Sequence, residues 1–472
     1  ILFKKKKIKF NEFKFYIIFS LKLLKNFTKT MFWCFFVKLT FYTRFRKISR
    51  KYCFCSHYHD LQEKNNLTYD RNFGIAPLKK NKHLSYYLID IVHSNEFIFK
   101  IFSYKNKFKK LKIPFFISDE YIKIGDIIKI YFFSVISVIK IIFHIKNRKK
   151  YFQINQKDCS NVLFPMLIDS FSGNIQESLV YAKALNNFFN INSTKTFINY
   201  FEFNPGFRAA YFFVRKTKFP TKIITVQHAY ANKNLLYYFN KRKEFSKNSN
   251  DEGKYYSPSP DCYLLQGVHF KNLLDKYYSK KKEIIGVLRY DLTNFNLKKK
   301  IENKKIKNRK RTILICPTIG DAGILISQLK KCNLNNVRLI LSPHPAIRQN
   351  VIKKFNEAFG QNVNFEVFEN LSSFELIFYS DLVICSFSVL AIESLICGVP
   401  SVRVINPDHP HFFDLNDGVN NIYSPQKLNI LINSETKIIV KRKRKNLISN
   451  IFYKLDNKAY LRFWNFIKKQ NL

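Results

Sequence analysis

Short apolar runs alternate with amphipathic stretches through the last third of this chain. The runs are apolar almost throughout, which is typical of parallel strands that are buried on both faces of a sheet. The predicted strands cover 311–317, 336–345, 363–368, 381–387 and 400–405. Helical spacing follows each of the first four runs, at 324–332, 346–358, 372–379 and 389–397. The pattern therefore predicts a doubly wound α/β domain over 311–425.

A similar alternation begins near residue 160. Predicted strands cover 162–169, 196–203, 222–228, 261–267 and 283–291, and predicted helices cover 174–189 and 205–215. This pattern predicts a first α/β domain over 160–296. The basic run 297–311 is the clearest boundary in the chain and separates it from the second domain. We expect a helical tail over 426–472.

Residues 1–150 form a basic, apolar region in which no alternation of strands and helices is recognisable. Residues 1–50 contain fourteen Lys and Arg but one acid, Glu12, among many aromatic residues, as expected for a segment that lies on an anionic bilayer or for a basic surface. The stretch 122–144 is apolar, but its longest uncharged run has ten residues, short of the roughly 20 that span a bilayer. The stretch fits an interfacial helix, and it also fits a core helix with one side exposed to solvent. The chain starts at Ile1, its first methionine is Met31, and no cleavable signal pattern is visible.

The net charge of +48 comes chiefly from Lys spread along all 472 residues. A nucleic-acid-binding protein would favour Arg, with aromatic residues on a recognisable module. We therefore expect no nucleic-acid partner and favour a solvated surface or one that faces an anionic membrane. Nine cysteines, several of them in apolar runs, indicate buried free thiols in a reducing compartment, and so a cytoplasmic protein.

Four ligand-type residues lie close together in one short segment, Cys53, Cys55, His57 and His59. Alternate residues of an extended strand point to the same side. Two ligand pairs this close in sequence do not readily surround one metal ion with tetrahedral geometry. Zinc sites usually separate their ligand pairs by about a dozen residues. The sequence therefore predicts no metal site.

Polar clusters follow four of the predicted elements in the 311–425 domain. In open parallel sheets ligands bind beyond the carboxyl ends of strands, where helices present free N–H groups. The candidate binding residues there are Gly320, Asp321, His344, Pro345, Ser386, Ser388 and Glu393. Each cluster also has a purely structural explanation: a glycine turn, a rigid proline loop, a helix cap and a solvated helix position.

Taken in order, strand-His-Pro, strand-Ser-x-Ser and Glu-x4-Gly-x-Pro resemble the C-terminal donor domain of GT-B glycosyltransferases. The His-Pro and Ser pairing is similar to bacterial sialyltransferase-like and Kdo-transferase-like enzymes and to capsule synthesis proteins. The resemblance implies that His344, Ser386 and Ser388 hold the donor phosphates and that Glu393 holds the ribose. It implies two Rossmann-like domains.

The preceding half contains three further elements that resemble the same group: Glu202 to Pro205, Gln227 to Ala229, and Gly286 to Tyr290. Glu202 and His228 lie at the ends of predicted strands and are our candidate catalytic bases. Arg289 is the candidate that neutralises a donor phosphate. We interpret the acidic stretch Asp251-Glu252-Gly253 as a turn.

The resemblance thus implies a metal-independent GT-B glycosyltransferase that needs no cofactor. It moves a sugar from a nucleotide-sugar donor to a growing surface glycan or a lipid-linked acceptor, in the cytoplasm or on the inner face of the cell membrane. A sugar epimerase or polyol-phosphate transferase on the same fold remains open. So does a non-enzymatic basic protein that binds membranes or nucleic acid.

Overall fold

The computed structural model describes most of the chain from Glu12 to Gln470. Its described residues are 12–41, 49–57, 60–64, 67–91, 106, 108–145, 148–154, 156–200, 205–228, 258–275, 280–292, 310–318, 320–344, 347–360, 363–368, 371–406, 417–434, 446 and 448–470.

A seven-stranded parallel sheet forms the core of the first domain. Its strand order is β11-β10-β9-β8-β1-β4-β5, and every neighbouring pair is parallel. The strands are β1 (Tyr52–His57), β4 (Ser85–Asp90), β5 (Phe115–Ile117), β8 (Thr196–Asn199), β9 (Lys222–Val226), β10 (Cys262–Leu265) and β11 (Lys281–Ile284). Two short antiparallel ladders accompany the sheet, β2 (Leu61–Lys64) with β3 (Leu67–Asp70) and β6 (Gln153–Ile154) with β7 (Lys157–Asp158).

A six-stranded parallel sheet forms the core of the second domain, in the order β14-β13-β12-β15-β16-β17. The strands are β12 (Arg311–Cys316), β13 (Val337–Leu341), β14 (Phe365–Glu366), β15 (Leu382–Cys385), β16 (Ser401–Val404) and β17 (Asn420–Ile422). The predicted fold class, two Rossmann-like α/β domains, is confirmed. The connector predicted over 297–311 lies largely outside the described residues.

Helices cover the faces of both sheets. They are α1 (Glu12–Phe41), α2 (Ile124–His144), α3 (Arg148–Tyr151), α4 (Ser160–Ser170), α5 (Asn174–Ile191), α6 (Pro205–Val214), α7 (Val268–Asp275), α8 (Ala322–Leu329), α9 (Arg348–Phe359), α10 (Ser373–Ile377), α11 (Leu390–Ile396), α12 (Pro425–Asn433) and α13 (Ala459–Lys469).

Both faces of the first sheet are buried, as its apolar strands require. Along β1, Phe54 packs into one apolar cluster, whereas its neighbours Cys53 and Cys55 pack into another on the opposite face. This alternation follows from the two-residue period of a strand. The expectation of free thiols is confirmed, because all nine cysteines are free and eight of them are buried.

The first sheet begins well before the boundary predicted at residue 160. Strands β1, β4 and β5 come from residues assigned by sequence to the region 1–150, and β1 pairs with both β4 and β8 in the middle of the sheet. Polar and charged connectors separate these strands, so their alternation with helices was not recognised. Residues 52–117 therefore belong to the first α/β domain.

The predicted helical tail over 426–472 divides between the two domains. Helix α12 packs against the second sheet through Leu428 and Ile432. Helix α13 returns to the first domain, where Trp464 Nε1 donates to the Ala76 carbonyl at 2.9 Å. Asp291 accepts from the backbone N–H groups of Ala459 and Tyr460 at 3.0 and 2.7 Å, which satisfies the start of this helix.

Two predicted strands differ from the structure. The segment 283–291 is strand only as far as Ile284, and Leu288–Tyr290 form a 3-10 helix. The other prediction was wrong throughout. Residues 162–169 lie in helix α4, with Pro165 inside it. A short apolar run does not distinguish a buried strand from a buried helix segment. Here Phe164 and Ile168 pack against α1 and α2, which favours the helix.

Candidate functional site

The carboxyl ends of the first sheet's central strands carry polar side chains. His57 and Asp90 end β1 and β4, while Tyr200 and His228 follow β8 and β9. Since these strands are parallel and adjacent, the four residues lie along one edge of the sheet.

His57 and Asp90 form the first pair at this edge. His57 Nδ1 lies 3.2 Å from Asp90 Oδ2, and the Asp90 side chain is fully buried. Burial by itself lowers the pKa of His57, but the bond to Asp90 and the nearby carboxylates of Asp60 and Asp70 outweigh it and raise the pKa above its ordinary value. When neutral, the ring keeps its proton on Nδ1 beside Asp90, which places the lone pair on Nε2.

Two further carboxyl groups lie beside this pair. Asp70 accepts from Ser56 Oγ and, at 3.0 Å, from the Tyr200 hydroxyl, which also donates to Asp60 at 2.5 Å. Burial, followed by the charge of Asp60, raises the pKa of Asp70 to about 7. The edge of the first sheet is therefore an acidic, hydrogen-bonded cluster of buried groups around His57.

The second domain contributes a loop between β12 and α8. Asp321 in this loop accepts from the Thr318 N–H at 2.6 Å, from the Thr318 hydroxyl at 2.8 Å and from the Phe387 N–H at 2.9 Å. These bonds join the loop after β12 to the loop after β15. The structure therefore makes Asp321, a predicted binding residue, a group that positions two loops. Gly320 has a φ of +90° and open space around the position of a Cβ.

The two serines after β15 differ in their surroundings. Ser386 is fully buried, and its hydroxyl has no hydrogen-bond partner within the described part of the chain. Ser388 Oγ accepts from the Leu390 N–H at 3.2 Å at the start of α11, which is the capping role considered from sequence. A buried hydroxyl without a partner is costly, so Ser386 is the stronger candidate for a ligand contact.

His344 follows β13, and its side chain is exposed. Partial burial and the positive charge of Arg71 lower the pKa of His344, and Asp60 raises it in part. Arg71 and Asp60 belong to the first domain, where Arg71 Nε lies 2.8 Å from Asp60 Oδ1. The carboxyl edges of the two sheets therefore lie close to each other, and we call the space between them the cleft.

Arg289 joins the two domains at another point of this cleft. It donates to Glu393 Oε1 at 2.5 Å, to the Tyr290 hydroxyl at 3.0 Å and to the His228 carbonyl at 3.5 Å. The Tyr290 hydroxyl also donates to Glu393 Oε1. Burial by itself lowers the pKa of Arg289, but Tyr290 and Glu393 outweigh it and raise the pKa above its ordinary value.

The structure brings together His228, Arg289 and Glu393, which the sequence placed in one site from separate segments. His228 also lies against Tyr200, with ring centroids 5.5 Å apart. Glu202 and Pro345 lie outside the described residues, as do His59 and the predicted turn at 251–253. Within the described ranges, no group of three or more His, Cys, Asp or Glu residues is arranged to hold a metal ion.

The sequence interpretation missed His57 and Asp90 as a pair. His57 was considered only as a metal ligand, and Asp90 was not singled out. A polar residue that ends a short apolar run was the available signal, in YCFCSH for β1 and in SYYLID for β4.

No protein-family model and no curated protein sequence matches this chain. Several solved structures are similar to it. A UDP-GlcNAc 2-epimerase from Neisseria meningitidis, bound to UDP-GlcNAc, is 14% identical with a TM-score of 0.44, over 89% of this chain and all of that one. The wall teichoic acid polymerase TagF is 12% identical with a TM-score of 0.47, over 98% of each chain.

A glycosyltransferase from Rickettsia africae is 15% identical with a TM-score of 0.43, over 89% of this chain and 100% of that one. At such low identity these likenesses assign no substrate or activity to the present chain.

Proposed function

We propose that this protein is a glycosyltransferase that moves a sugar from a nucleotide-activated donor to a glycan acceptor in the cleft between its two sheets. The observation that carries the proposal is the 2.5 Å contact between Arg289, just beyond the first sheet, and Glu393 on α11 of the second domain, which brings the carboxyl edges of the two sheets together. The charges of Asp60 and Arg71 of the first domain also act on His344 of the second. Ligands of open parallel sheets bind at the carboxyl edge, and here two such edges share one space.

The donor belongs on the second domain in this proposal. Gly320 leaves room for a phosphate near the backbone, and the buried hydroxyl of Ser386 gains a partner when the donor binds. His344, Pro345 and Ser388 complete the set that we expect around the phosphates. Arg289 and Tyr290 hold Glu393 Oε1, which orients the carboxylate so that its other oxygen accepts from the ribose.

The acceptor hydroxyl needs a base, and we propose His57 for this role in addition to the candidates Glu202 and His228. Of the described candidates, His57 has its ring held by a buried carboxylate, as an oriented base requires. His57 Nε2 takes the hydroxyl proton, the acceptor oxygen bonds to the anomeric carbon, and the bond from that carbon to the donor phosphate breaks. The nucleotide leaves with the electron pair, and Arg289 offsets its charge.

Three features of the proposal rest on the sequence. The first is metal independence, which rate measurements with and without EDTA would test. The second is a growing surface polysaccharide, such as a capsule, or its lipid-linked precursor as acceptor. The third is a cytoplasmic location.

A donor screen on the full chain tests the proposed function. Nucleotide sugars and nucleotide polyols are tested for binding by thermal shift and titration calorimetry, and products are identified by mass spectrometry. We expect one nucleotide sugar to bind and its sugar to be transferred only when an acceptor is added. His344→Ala and Ser386→Ala should weaken donor binding.

Other outcomes of the screen would contradict the proposal. Conversion of the donor sugar without an acceptor would indicate an epimerase, and transfer of a polyol phosphate would indicate that class of transferase. Binding of no nucleotide would exclude all three enzyme classes. Unchanged donor binding in both variants would remove His344 and Ser386 from the site.

A further inference from the structure

Exposed apolar side chains are concentrated on three helices of the first domain. Of the large hydrophobic residues exposed in the described part of the chain, seven lie on α1, seven on α2 and two on α4, whereas all other described segments together have five. These helices pack against one another, because Phe19 of α1, Val138 of α2 and Phe164 of α4 share one cluster. We call their exposed apolar residues the apolar face.

On α1 these residues form one stripe along the helix. They are Ile17, Leu21, Leu24, Phe32, Phe35 and Leu39, with Ile18 beside them. Spacings of three and four residues place them on one side, since each residue advances 100° around the helix. The buried residues Phe19, Cys34 and Val37 lie on the opposite side. Helix α1 is therefore apolar on both sides, and only one side has a partner within the described structure.

Helix α2 has the same property. Its buried residues Ile127, Tyr131 and Val138 pack against α1 and α5. Its exposed residues are Ile124, Ile128, Phe132, Phe133, Val135, Ile139 and Phe143. Helices α1 and α2 run antiparallel, since Phe27 contacts Tyr131 while Phe19 lies near Val138. A soluble monomer rarely exposes so many large apolar residues on neighbouring helices.

The charges around the apolar face are mostly positive, although Asp169 of α4 pairs with Lys22 at 2.8 Å. Helix α1 carries Lys14, Lys22, Lys25, Lys29 and Lys38, against Glu12 alone, and α2 carries Lys129 and Lys140 against Asp126. Lys22, Lys25 and Lys29 lie on one flank of the α1 stripe. Apolar side chains flanked by Lys match the boundary between acyl chains and anionic headgroups.

By length and composition α2 is also able to cross a bilayer, and 22% of its most apolar window is buried. Its inner side, however, is attached to the first domain. Tyr131 hydrogen-bonds Thr30 of α1 at 3.0 Å, and Asn187 of α5 donates to Asp126 at 2.9 Å. Crossing the bilayer would expose these polar groups to hydrocarbon, at a cost that a position in the headgroup plane avoids.

We infer that the apolar face of α1, α2 and α4 docks the protein on the surface of an anionic lipid bilayer. The helices lie in the interfacial plane, with their exposed apolar side chains inserted below the headgroups and their Lys side chains among the lipid phosphates. The inference stands apart from the proposed function, because it involves no residue of the cleft.

Vesicle flotation of the full chain tests this inference. The probes are vesicles of phosphatidylcholine alone and of phosphatidylcholine mixed with phosphatidylglycerol, at low and high salt. We expect binding to the mixed vesicles that weakens with salt. The variant Leu21→Gln, Leu24→Gln, Phe132→Gln, Phe143→Gln should lower the partition coefficient at least about tenfold.

The matched control is Tyr379→Gln, Tyr423→Gln, Ile430→Gln, which removes exposed apolar side chains of the second domain and should bind vesicles normally. Circular dichroism and urea denaturation check that each variant is folded. A second variant, Lys25→Gln, Lys29→Gln, Lys129→Gln, should lose the preference for phosphatidylglycerol while it keeps the fold.

Failure of the wild-type chain to bind mixed vesicles would overturn the inference, as would equal binding by the glutamine variant of the apolar face. Sedimentation would reveal the competing explanation. A stable wild-type dimer that the same variant converts to monomers would show that a second copy, and not a bilayer, covers the apolar face.

Discussion

Arg289, just beyond the first sheet, donates to Glu393 on α11 of the second domain at 2.5 Å, and this ion pair joins the two domains. The Glu393 side chain is 6% exposed and that of Arg289 is 22% exposed. Glu393→Gln should therefore destabilise the protein by about 3 kcal/mol, because the buried guanidinium loses its counter-charge. Urea denaturation measures the change.

The matched control for this pair is Arg338 with Glu366, which has the same 2.5 Å contact but lies largely exposed. Glu366→Gln should cost about 1 kcal/mol or less, since solvent screens an exposed pair. Equal losses in the two variants would show that burial does not set the strength of the Arg289–Glu393 pair.

Replacing His57 should remove the base. His57→Gln is expected to lower kcat about 100-fold or more while the donor still binds. His83→Gln, on the 3-10 helix that precedes β4 and so away from the carboxyl edge, is the matched control and should keep full activity. Activity within a few fold of wild type in His57→Gln would leave Glu202 and His228 as the candidates.

The pH profile of kcat/KM should distinguish catalysis by His57 from a structural role. The base form exists above the pKa of His57, which Asp90 raises, so the rate should fall as the pH drops through a value above the ordinary range for histidine. Asp90→Asn removes that effect and should move the acid limb of the profile to lower pH, with a smaller plateau rate. An acid limb that stays in place would argue against the His57–Asp90 pair.

Stability should fall as the pH rises from about 4 to about 7. Burial raises the pKa of Asp70 to about 7, and the pKa of His57 is raised as well. Both groups therefore bind protons more tightly in the folded state. The contribution of Asp70 is lost across this window, whereas that of His57 is lost only from about pH 6.5 upward. Asp70→Asn should flatten this slope in urea titrations across the window, whereas Ser56→Ala, which keeps the carboxyl group, should retain it.

Ser386→Ala should weaken donor binding about tenfold without loss of stability, because the deleted hydroxyl has no partner among the described residues. Ser394 is equally buried, but its hydroxyl donates to the Ala391 carbonyl at 3.0 Å. Ser394→Ala should show the reverse, a loss of about 1 kcal/mol in stability with normal donor binding. Calorimetric titration and thermal denaturation of both variants separate the two effects.

Helix α13 should be needed for the stability of the first domain, although it is the last helix of the chain. Trp464 packs against Tyr52 and Phe54 of β1, and its indole N–H donates to Ala76. Trp464→Ala should cost about 3–5 kcal/mol, and Trp464→Phe clearly less. Urea denaturation measures both, and a small loss in Trp464→Ala would show that α13 is dispensable to the first domain.

The sequence by itself determined the alternation of strands and helices from residue 174 onward and the chemistry at the strand ends of the second domain. Strand periodicity and local turn residues carry that information, so Ser386 and His344 were placed just after strands and Glu393 on the helix that follows β15. The prediction from sequence failed where the periodic pattern was short or interrupted, as for the helix at 160–170 and for β1, β4 and β5.

Only the tertiary structure determined which strand ends lie next to one another. Parallel pairing placed β1 between β4 and β8, which brought His57 to Asp90 and Tyr200 although long stretches of chain separate them. Packing of the two domains gave Glu393 its partner Arg289, whereas pairing of β12 with β15 inside the second sheet placed Asp321 between two loops. Such contacts depend on strand order and domain packing, which no local pattern of residues encodes.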